Sequence, residues 1–129
     1  MDWVDNYIAI GDWLDSENVA ELQEKNIDLV LDARTLFCRK GNSPFEFEPI
    51  PEKILRAGDI LVALSDLKAK ILVHCVWGKD RTPFVAMIYV SKKYGKSYEK
   101  AYEDIKELRT QAVYHLDWIE QLQHYGRTQ

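Results

Sequence analysis

The stretch ILVHCVWGKDRTPF, residues 71–84, decides the fold of this chain. It begins with a short, uniformly apolar run, which is typical of a central parallel strand covered on both faces. A loop with one cysteine, one glycine and several charged residues follows, and Pro83 then offers a favoured first position for a helix. In parallel α/β sheets the carboxyl ends of the strands face a crevice where ligands bind. The stretch therefore predicts an α/β fold with Cys75 at the edge of a ligand site.

The sequence on both sides of this stretch predicts the same fold class. Short apolar runs predict strands over residues 7–10, 27–31, 45–50 and 71–73. Amphipathic runs predict helices that begin at Pro51, near Pro83 and after Ser97, and a last helix over residues 116–125. The Pro51 helix is expected to turn Ile54, Leu55, Ile60, Leu61 and Leu64 inward. We expect one domain over residues 1–129, with a four- to five-stranded, mainly parallel sheet and helices on both faces.

Composition limits the classes of partner. The chain has 129 residues, of which 47% are hydrophobic and 29% charged, which suffices for a single core. The formal net charge of -4 argues against nucleic acid or an anionic membrane as a partner. The longest apolar stretch, residues 84–90, is too short to span a bilayer. With two cysteines and no apolar segment of signal length, we expect a cytoplasmic monomer with reduced thiols.

The loop after the predicted central strand has the groups that bind an oxyanion. Residues 76–80 lead into Arg81 and the start of a helix, where backbone N–H groups lack intrahelical partners. Loop amides, the helix dipole and a guanidinium together match the tetrahedral oxygens of a phosphate. The same positive field favours the thiolate form of Cys75. The loop is thus predicted to hold a phosphate beside a nucleophile.

The segment HCVWGKDRT, residues 74–82, resembles the signature of the cysteine-dependent protein tyrosine and dual-specificity phosphatases. That signature has His-Cys, five residues, Arg and then Ser or Thr. Two flanking segments are also similar to the family: WVDNYIAIGDWLD, residues 3–15, and KKYGKSYEKAYEDIKELR, residues 92–109. The short chain, with no added tyrosine-recognition segment, resembles the compact dual-specificity branch, of the kind also found in archaea.

The resemblance implies a role for each matching residue. Cys75 would attack phosphorus and form a phosphocysteine, Arg81 would hold the equatorial oxygens, and Thr82 would hydrogen-bond the departing sulfur. His74 would orient the cysteine from behind. The implied substrate-binding residues are Val76, Trp77, Gly78, Lys79, Asp80 and Arg81. The substrate would be a phosphorylated protein or a small phosphomonoester, with no cofactor and no metal.

The proton donor is where the sequence departs from the family. Members usually carry an Asp in a loop upstream of the cysteine, whereas GNSPFEFEPIPEK, residues 41–53, contains none. By position the candidates are Glu46, Glu48 and Glu52, and we predict Glu48 because it lies near the end of the predicted strand. Asp80 is a competing candidate for the proton donor. Its G-x-D-R-T loop resembles loops of myotubularin-type lipid phosphatases and of some bacterial phosphatases. Asp80 is equally expected to act as an acceptor that rigidifies the loop.

The sequence leaves alternatives open for several other residues and for the function. Asp32 ends the segment LVLD and is expected to bond loop amides, and Cys38 either fills a half-buried position or is a redox partner of Cys75. His115 and Trp118 are expected to serve packing. A rhodanese-like sulfurtransferase is one alternative function, since residues 30–34, VLDAR, resemble a segment of that family. A phosphate-binding adaptor without catalysis is the other.

Overall fold

A four-stranded sheet forms the centre of the protein in the computed structural model, which describes residues 1–43 and 46–128. The described residues form six strands, four in this sheet and two in a separate ribbon. In chain order they are β1 (Asp2–Trp3), β2 (Ile8–Gly11), β3 (Leu29–Asp32), β4 (Phe37–Arg39), β5 (Phe47–Pro49) and β6 (Ile71–His74). The sheet has the order β1-β2-β6-β3, in which β1 is antiparallel to β2 and the other pairs are parallel. The predicted mainly parallel sheet is confirmed.

Of the helices that flank this sheet, the last four begin within two residues of the predicted positions, and the first was not predicted. The helices are α1 (Trp13–Glu17), α2 (Val19–Glu24), α3 (Pro51–Asp66), α4 (Arg81–Tyr94), α5 (Tyr98–Leu108) and α6 (Leu116–Thr128). A short 3₁₀ helix covers Ala33–Leu36. Pro51 occupies the first turn of α3, and the Ser97 hydroxyl accepts a hydrogen bond from the backbone N–H of Lys100 at 3.2 Å, which caps α5. Gly95 ends α4 in the left-handed conformation.

Strand β6 brings the loop that follows it to the edge shared by three strands. It pairs in parallel with β2 on one side and β3 on the other, and all four of its residues are buried. Its last residue, His74, is in register with Gly11 and Asp32, which end the neighbouring strands. Because three parallel strands end together, the chain leaves β6 into the crevice at their carboxyl ends, as predicted.

Helix α4 anchors this loop to the core. Its first ten residues, 81–90, are all buried, and it packs closely against α3. A Cβ added to Gly58 of α3 would lie 2.8 Å from Cγ2 of Ile88, so the glycine permits the close approach of the two helices. Ile60 is 50% exposed, and the expectation that it turns inward is wrong. It is two positions from Gly58, on a part of α3 that α4 does not cover.

The acidic-apolar segment before α3 forms a ribbon outside the main sheet. Strand β5 pairs with β4 in antiparallel fashion, with Cys38 opposite Glu48. The predicted strand over residues 45–50 is therefore shorter, and Phe45 lies outside the described residues. Pro49 has no N–H to donate, which suits a short edge ribbon better than a central strand.

Candidate active site

The sulfur of Cys75 lies at the base of the cysteine loop, the name used here for residues 75–80. Cys75 is 2% exposed, and its Sγ accepts a hydrogen bond from the backbone N–H of Gly78 at 3.3 Å. Nδ1 of His74 lies 3.4 Å from the Cys75 carbonyl oxygen. The thiol is therefore held within the loop, with an N–H donor already directed at its sulfur.

The backbone of the cysteine loop is held from outside through its carbonyl groups. The carbonyl of Val76 accepts from the N–H of Trp13 at 3.2 Å, and that of Lys79 accepts from the N–H of Val113 at 2.9 Å. Within residues 1–43 and 46–128, the N–H groups of Val76, Trp77 and Lys79 have no hydrogen-bond acceptor. A loop whose carbonyls are occupied while its N–H groups remain available can bind an anion.

Gly78 is required in the cysteine loop for both its conformation and its lack of a side chain. Its φ is +72°, in the left-handed region. An added Cβ would lie 2.6 Å from Nη2 of Arg109 and 2.9 Å from the carbonyl oxygen of Gly11. Arg109 is buried, and its Nη1 donates to Oδ2 of Asp2 at 2.8 Å. Sequence reasoning missed Arg109, because nothing near it in the chain indicates that it packs behind a loop thirty residues upstream.

Arg81 and Thr82 are buried polar residues at the start of α4. The guanidinium of Arg81 lies 4.1 Å above the ring of Phe47, and it has no hydrogen-bond acceptor among the described residues. The hydroxyl of Thr82 is fully buried and also has no partner in that part of the chain. Burying a polar group without a partner costs about 1–3 kcal/mol, so such groups at a cavity call for an explanation.

One oxygen of the Asp80 carboxylate contacts the residue that precedes α6. Asp80 precedes α4 but makes no side-chain hydrogen bond to cap that helix. Its Oδ1 lies 2.8 Å from Nε2 of His115, whose ring stacks on Trp118 with centroids 3.6 Å apart. His115 thus packs on Trp118 as expected, and it also contacts Asp80. Asp80 makes its hydrogen bond to His115, outside the cysteine loop.

These groups surround one open cavity of about 760 Å³. It is lined by Lys40, Glu46, Phe47, Cys75, Val76, Trp77, Lys79, Asp80, Arg81, His115, Asp117 and Trp118. The structure thus brings together most of the residues predicted to bind substrate, and Trp77, 69% exposed, lies at the rim. Gly78 and Thr82 are buried beneath this lining. A second cavity of about 440 Å³, between β3 and α3, is mainly aliphatic and holds no nucleophile.

Glu48 does not reach the cysteine loop, which corrects the prediction that placed the proton donor there. Its Oε1 lies 4.0 Å from Sγ of Cys38, its cross-strand neighbour on β4. Successive side chains of a strand point to opposite faces, and Phe47 is the residue that faces Arg81. Of the other candidates, Glu52 pairs with Arg56 at 2.6 Å, and Glu46 lines the cavity.

Asp32 has the structural role that the sequence predicts. Its Oδ1 accepts from the backbone N–H of Arg34 at 3.0 Å, and its Oδ2 accepts from Nη2 of the same residue at 2.8 Å. Burial pushes the pKa of Asp32 up, but the bonds from Arg34 outweigh burial and hold the pKa below its ordinary value. Both cysteines are free thiols, with Cys38 exposed and beside Glu48.

Comparison with known proteins agrees with this geometry. The family model of the dual specificity phosphatase catalytic domain matches residues 8–128, nearly the whole chain. The chain belongs to the dual specificity phosphatase family. Two longer relatives are similar to it in sequence. The chain is 25% identical to human protein phosphatase Slingshot homolog 2 and 24% identical to the Arabidopsis thaliana protein-tyrosine-phosphatase IBR5. Each match covers 92% of this chain but only 9% and 48% of the relatives, so the chain spans less than half their length.

Solved structures of other proteins show the same fold. Human DUSP28 superposes with a TM-score of 0.78 at 18% identity, covering 99% of this chain and 96% of that one. The human tyrosine phosphatase-like serine/threonine/tyrosine-interacting protein gives 0.77 at 16% identity, covering 99% and 96%. In the described part of the chain, no helix has the length and apolar character needed to cross a bilayer. No group of three or more His, Cys, Asp or Glu side chains there is arranged to hold a metal ion.

Proposed function

We propose that this member of the family hydrolyses phosphomonoesters through a cysteinyl-phosphate intermediate, without a metal ion. One observation carries the proposal: a buried cysteine sulfur that already accepts an N–H bond shares a cavity with an arginine that has no acceptor among the described residues. A nucleophile beside an unpaired cation is the arrangement that phosphoryl transfer from a dianionic ester requires.

Binding of the substrate phosphate would use groups that other described residues leave free. The N–H groups of Val76, Trp77 and Lys79 would bond its oxygens, and the Arg81 guanidinium would grip two of them in parallel. Lys79 and Lys40 line the same cavity and would favour substrates with further negative charge nearby. Trp77 at the rim would pack against an aromatic or apolar part of the substrate.

The chemistry would proceed in two displacements at phosphorus. In the first, the Cys75 thiolate forms the P–S bond while the P–O bond to the leaving group breaks, and the leaving oxygen takes a proton from the enzyme. In the second, water attacks phosphorus, the P–S bond breaks, and the hydroxyl of Thr82 donates a hydrogen bond to the departing thiolate. An orphan hydroxyl in the first turn of α4 is suited to that role, because it has no other partner in the described residues to give up.

Asp80 replaces Glu48 as our proposed proton donor. Asp80 shares the cavity with Cys75, whereas Glu48 lies on the opposite face of the β4–β5 ribbon. Glu46 lines the cavity too, and it is the second candidate for the acid. A general acid contributes a factor of about 10²–10⁴ in rate, most for poor leaving groups. We propose no choice among phosphotyrosine, phosphoserine, phosphothreonine and non-protein phosphates as the substrate. We also propose that the protein is a cytoplasmic monomer.

The test is turnover of p-nitrophenyl phosphate by the wild type, Cys75→Ser and Cys38→Ser. The proposal expects steady turnover in the wild type, none above background in Cys75→Ser, and wild-type turnover in Cys38→Ser, because Cys38 lies outside the cavity. Rapid acid quench with mass spectrometry should then show one added phosphate on the wild-type enzyme, located at Cys75.

Two results would replace this proposal with another function. Conversion of thiosulfate to thiocyanate without phosphate ester hydrolysis would indicate a sulfurtransferase. Tight, saturable binding of a phosphopeptide with no trapped phosphocysteine would indicate an adaptor. The family assignment and the buried sulfur beside Arg81 favour hydrolysis over both.

A further inference from the structure

The carboxylate of Asp80 has one oxygen held and one oxygen free. Oδ1 lies 2.8 Å from Nε2 of His115, while Oδ2 has no hydrogen-bond partner within the described ranges of the chain. Asp80 also lines the cavity that contains the Cys75 sulfur. A carboxyl group with one oxygen fixed and the other open to a ligand cavity is arranged to deliver a proton from the open side.

His115 is itself fixed by the aromatic core. Its ring stacks on Trp118, with centroids 3.6 Å apart and an interplanar angle of 13°. Trp118 is only 5% exposed and packs edge-to-face on Phe84, in the first turn of α4, at 5.3 Å, and against Phe37 at 5.1 Å. Trp118 thus links the imidazole to the helix that begins with Arg81 and Thr82.

A backbone bond places the His115 segment alongside the cysteine loop. The N–H of Val113 donates to the carbonyl of Lys79 at 2.9 Å. Val113 lies two residues before His115, and Lys79 lies directly before Asp80. The carbonyl of His115 accepts from the N–H of Ile119 at 3.2 Å, which starts α6. These backbone bonds hold the two segments next to each other, so the short side chains of His115 and Asp80 are in contact.

We propose that His115 is a positioning residue for the proton donor Asp80, an inference that rests on the function proposed above. In the tautomer that carries hydrogen on Nε2, His115 donates to Oδ1 and turns Oδ2 towards the leaving oxygen. As the P–O bond breaks, the proton on Oδ2 passes to that oxygen and its electron pair stays on the carboxylate. The His115 N–H bond strengthens as this negative charge forms, so it stabilises the product of the transfer.

The second displacement returns Asp80 to its starting state. The Asp80 carboxylate takes a proton from the water that attacks phosphorus, while the P–S bond breaks and the electron pair leaves on the Cys75 sulfur. His115 keeps its own proton throughout, which distinguishes a positioning residue from a second acid.

The experiment compares two substrates that differ in the basicity of the leaving group. Values of kcat/KM for p-nitrophenyl phosphate and phenyl phosphate are measured for wild type, Asp80→Asn, His115→Ala and His115→Gln. Each rate is expressed per active site, from the burst of phosphocysteine. The matched control is His124→Gln, at an exposed histidine of α6, and it should behave as wild type on both substrates.

We expect a loss that depends on the leaving group. On phenyl phosphate, His115→Ala should lose much of the factor lost by Asp80→Asn, which for a general acid is about 10²–10⁴. On p-nitrophenyl phosphate, both variants should lose far less, because nitrophenolate leaves without a proton. His115→Gln should recover most of the phenyl phosphate rate, because its amide N–H can donate to Oδ1 in place of Nε2.

Three results would overturn the role of His115. The first is an equal loss on both substrates in His115→Ala, which would indicate general distortion of the site. The second is His115→Gln with no more activity than His115→Ala, which would indicate that the imidazole itself carries the proton. The third is a wild-type rate in His115→Ala on phenyl phosphate. If the wild type shows no turnover that depends on Cys75, the proposed function fails, and the role of His115 fails with it.

Discussion

At its carboxyl end helix α4 places two tyrosine hydroxyls on one carboxylate, whereas at its amino end it leaves an arginine and a threonine without acceptors. The hydroxyls of Tyr89 and Tyr94 donate to Oδ2 of Asp5 at 2.6 and 2.7 Å. Oδ1 of Asp5 accepts from the backbone N–H groups of Tyr7 and Ile8, both at 2.9 Å. Every oxygen of this carboxylate is therefore used within the fold.

At the amino end of α4, by contrast, polar side chains lack hydrogen-bond partners among the described residues. Thr82 is fully buried and Arg81 is 9% exposed, yet no acceptor for either side chain lies within residues 1–43 and 46–128. A paired polar cluster stabilises the fold, while an unpaired one costs stability; we propose that an anionic substrate pairs with the groups at the amino end. Substitutions at the carboxyl end of α4 should therefore change stability without activity, and those at the amino end should change activity more than stability.

The largest expected effect is that of Gly78→Ala. It combines a left-handed φ with a Cβ that would lie 2.6 Å from Arg109, so strain and overpacking together should cost about 2–6 kcal/mol. Turnover should be lost because the Gly78 N–H no longer meets the Cys75 sulfur. The matched control is Gly95→Ala at the other end of α4, which has a φ of +66° but no atom within 4 Å of the new Cβ. It should cost about 1–2 kcal/mol and leave kcat/KM unchanged, as chemical denaturation and steady-state kinetics can check.

The second prediction concerns Tyr89→Phe. It removes a buried hydrogen bond to the Asp5 carboxylate and should lower the free energy of unfolding by about 1.5–3 kcal/mol, with phosphatase activity per folded molecule unchanged. Urea unfolding together with kcat/KM measures both quantities. A wild-type stability, or a selective loss of activity, would contradict the assignment of this end of α4 to structure.

The third prediction is a pH dependence of stability that comes from the same carboxylate. Burial raises the pKa of Asp5, but hydrogen bonds from Tyr89, Tyr94 and two backbone N–H groups outweigh it, so its pKa is lowered. The stabilisation is complete above the unfolded value of about 3.9 and is lost as the pH falls through the lower folded pKa. Asp5→Asn should therefore show a smaller loss of stability between pH 7 and pH 3 than the wild type, and an equal loss would contradict this account.

The same cluster should also weaken at high pH. Burial and the bond to Asp5 raise the pKa of Tyr94 to about 12. A tyrosine with a raised folded pKa contributes stability fully below its unfolded value of about 10 and loses it as the pH rises towards the folded value. Tyr94→Phe should thus flatten the stability curve between pH 10 and pH 12, measured by thermal unfolding.

The smallest expected change in stability is that of Thr82→Val. Because the Thr82 hydroxyl has no partner among the described residues, an isosteric apolar side chain should leave stability unchanged or slightly higher. Its effect should appear in catalysis, as slower breakdown of the phosphocysteine and a larger burst on rapid quench. Destabilisation by more than about 1 kcal/mol would indicate that the hydroxyl is bonded in the native fold after all.

The parts that could be predicted from the sequence are those encoded locally. The order strand, loop and helix in residues 71–94 follows from an apolar run, Pro83 and Gly95, and the structure confirms it. The placement of Glu48 was wrong because a strand's facing depends on its partner, and β5 pairs with β4 outside the main sheet. Asp80 and His115 are separated by 35 residues, and tertiary contacts bring them together: the packing of Trp118 in the core and the backbone bond from Val113 to Lys79.

The most direct test of the central claim is calorimetric titration of tungstate, a tetrahedral dianion, into Cys75→Ser, which prevents turnover. We expect one site per chain, with an affinity that the further change Arg81→Met weakens about 10- to 100-fold, since it removes a charge-assisted hydrogen-bond donor. Lys92→Met near the carboxyl end of α4, where Lys92 pairs with an exposed Asp59, should leave the Kd unchanged. No binding to Cys75→Ser, or equal affinity with and without Arg81, would contradict the claim that the amino end of α4 is built for an oxyanion.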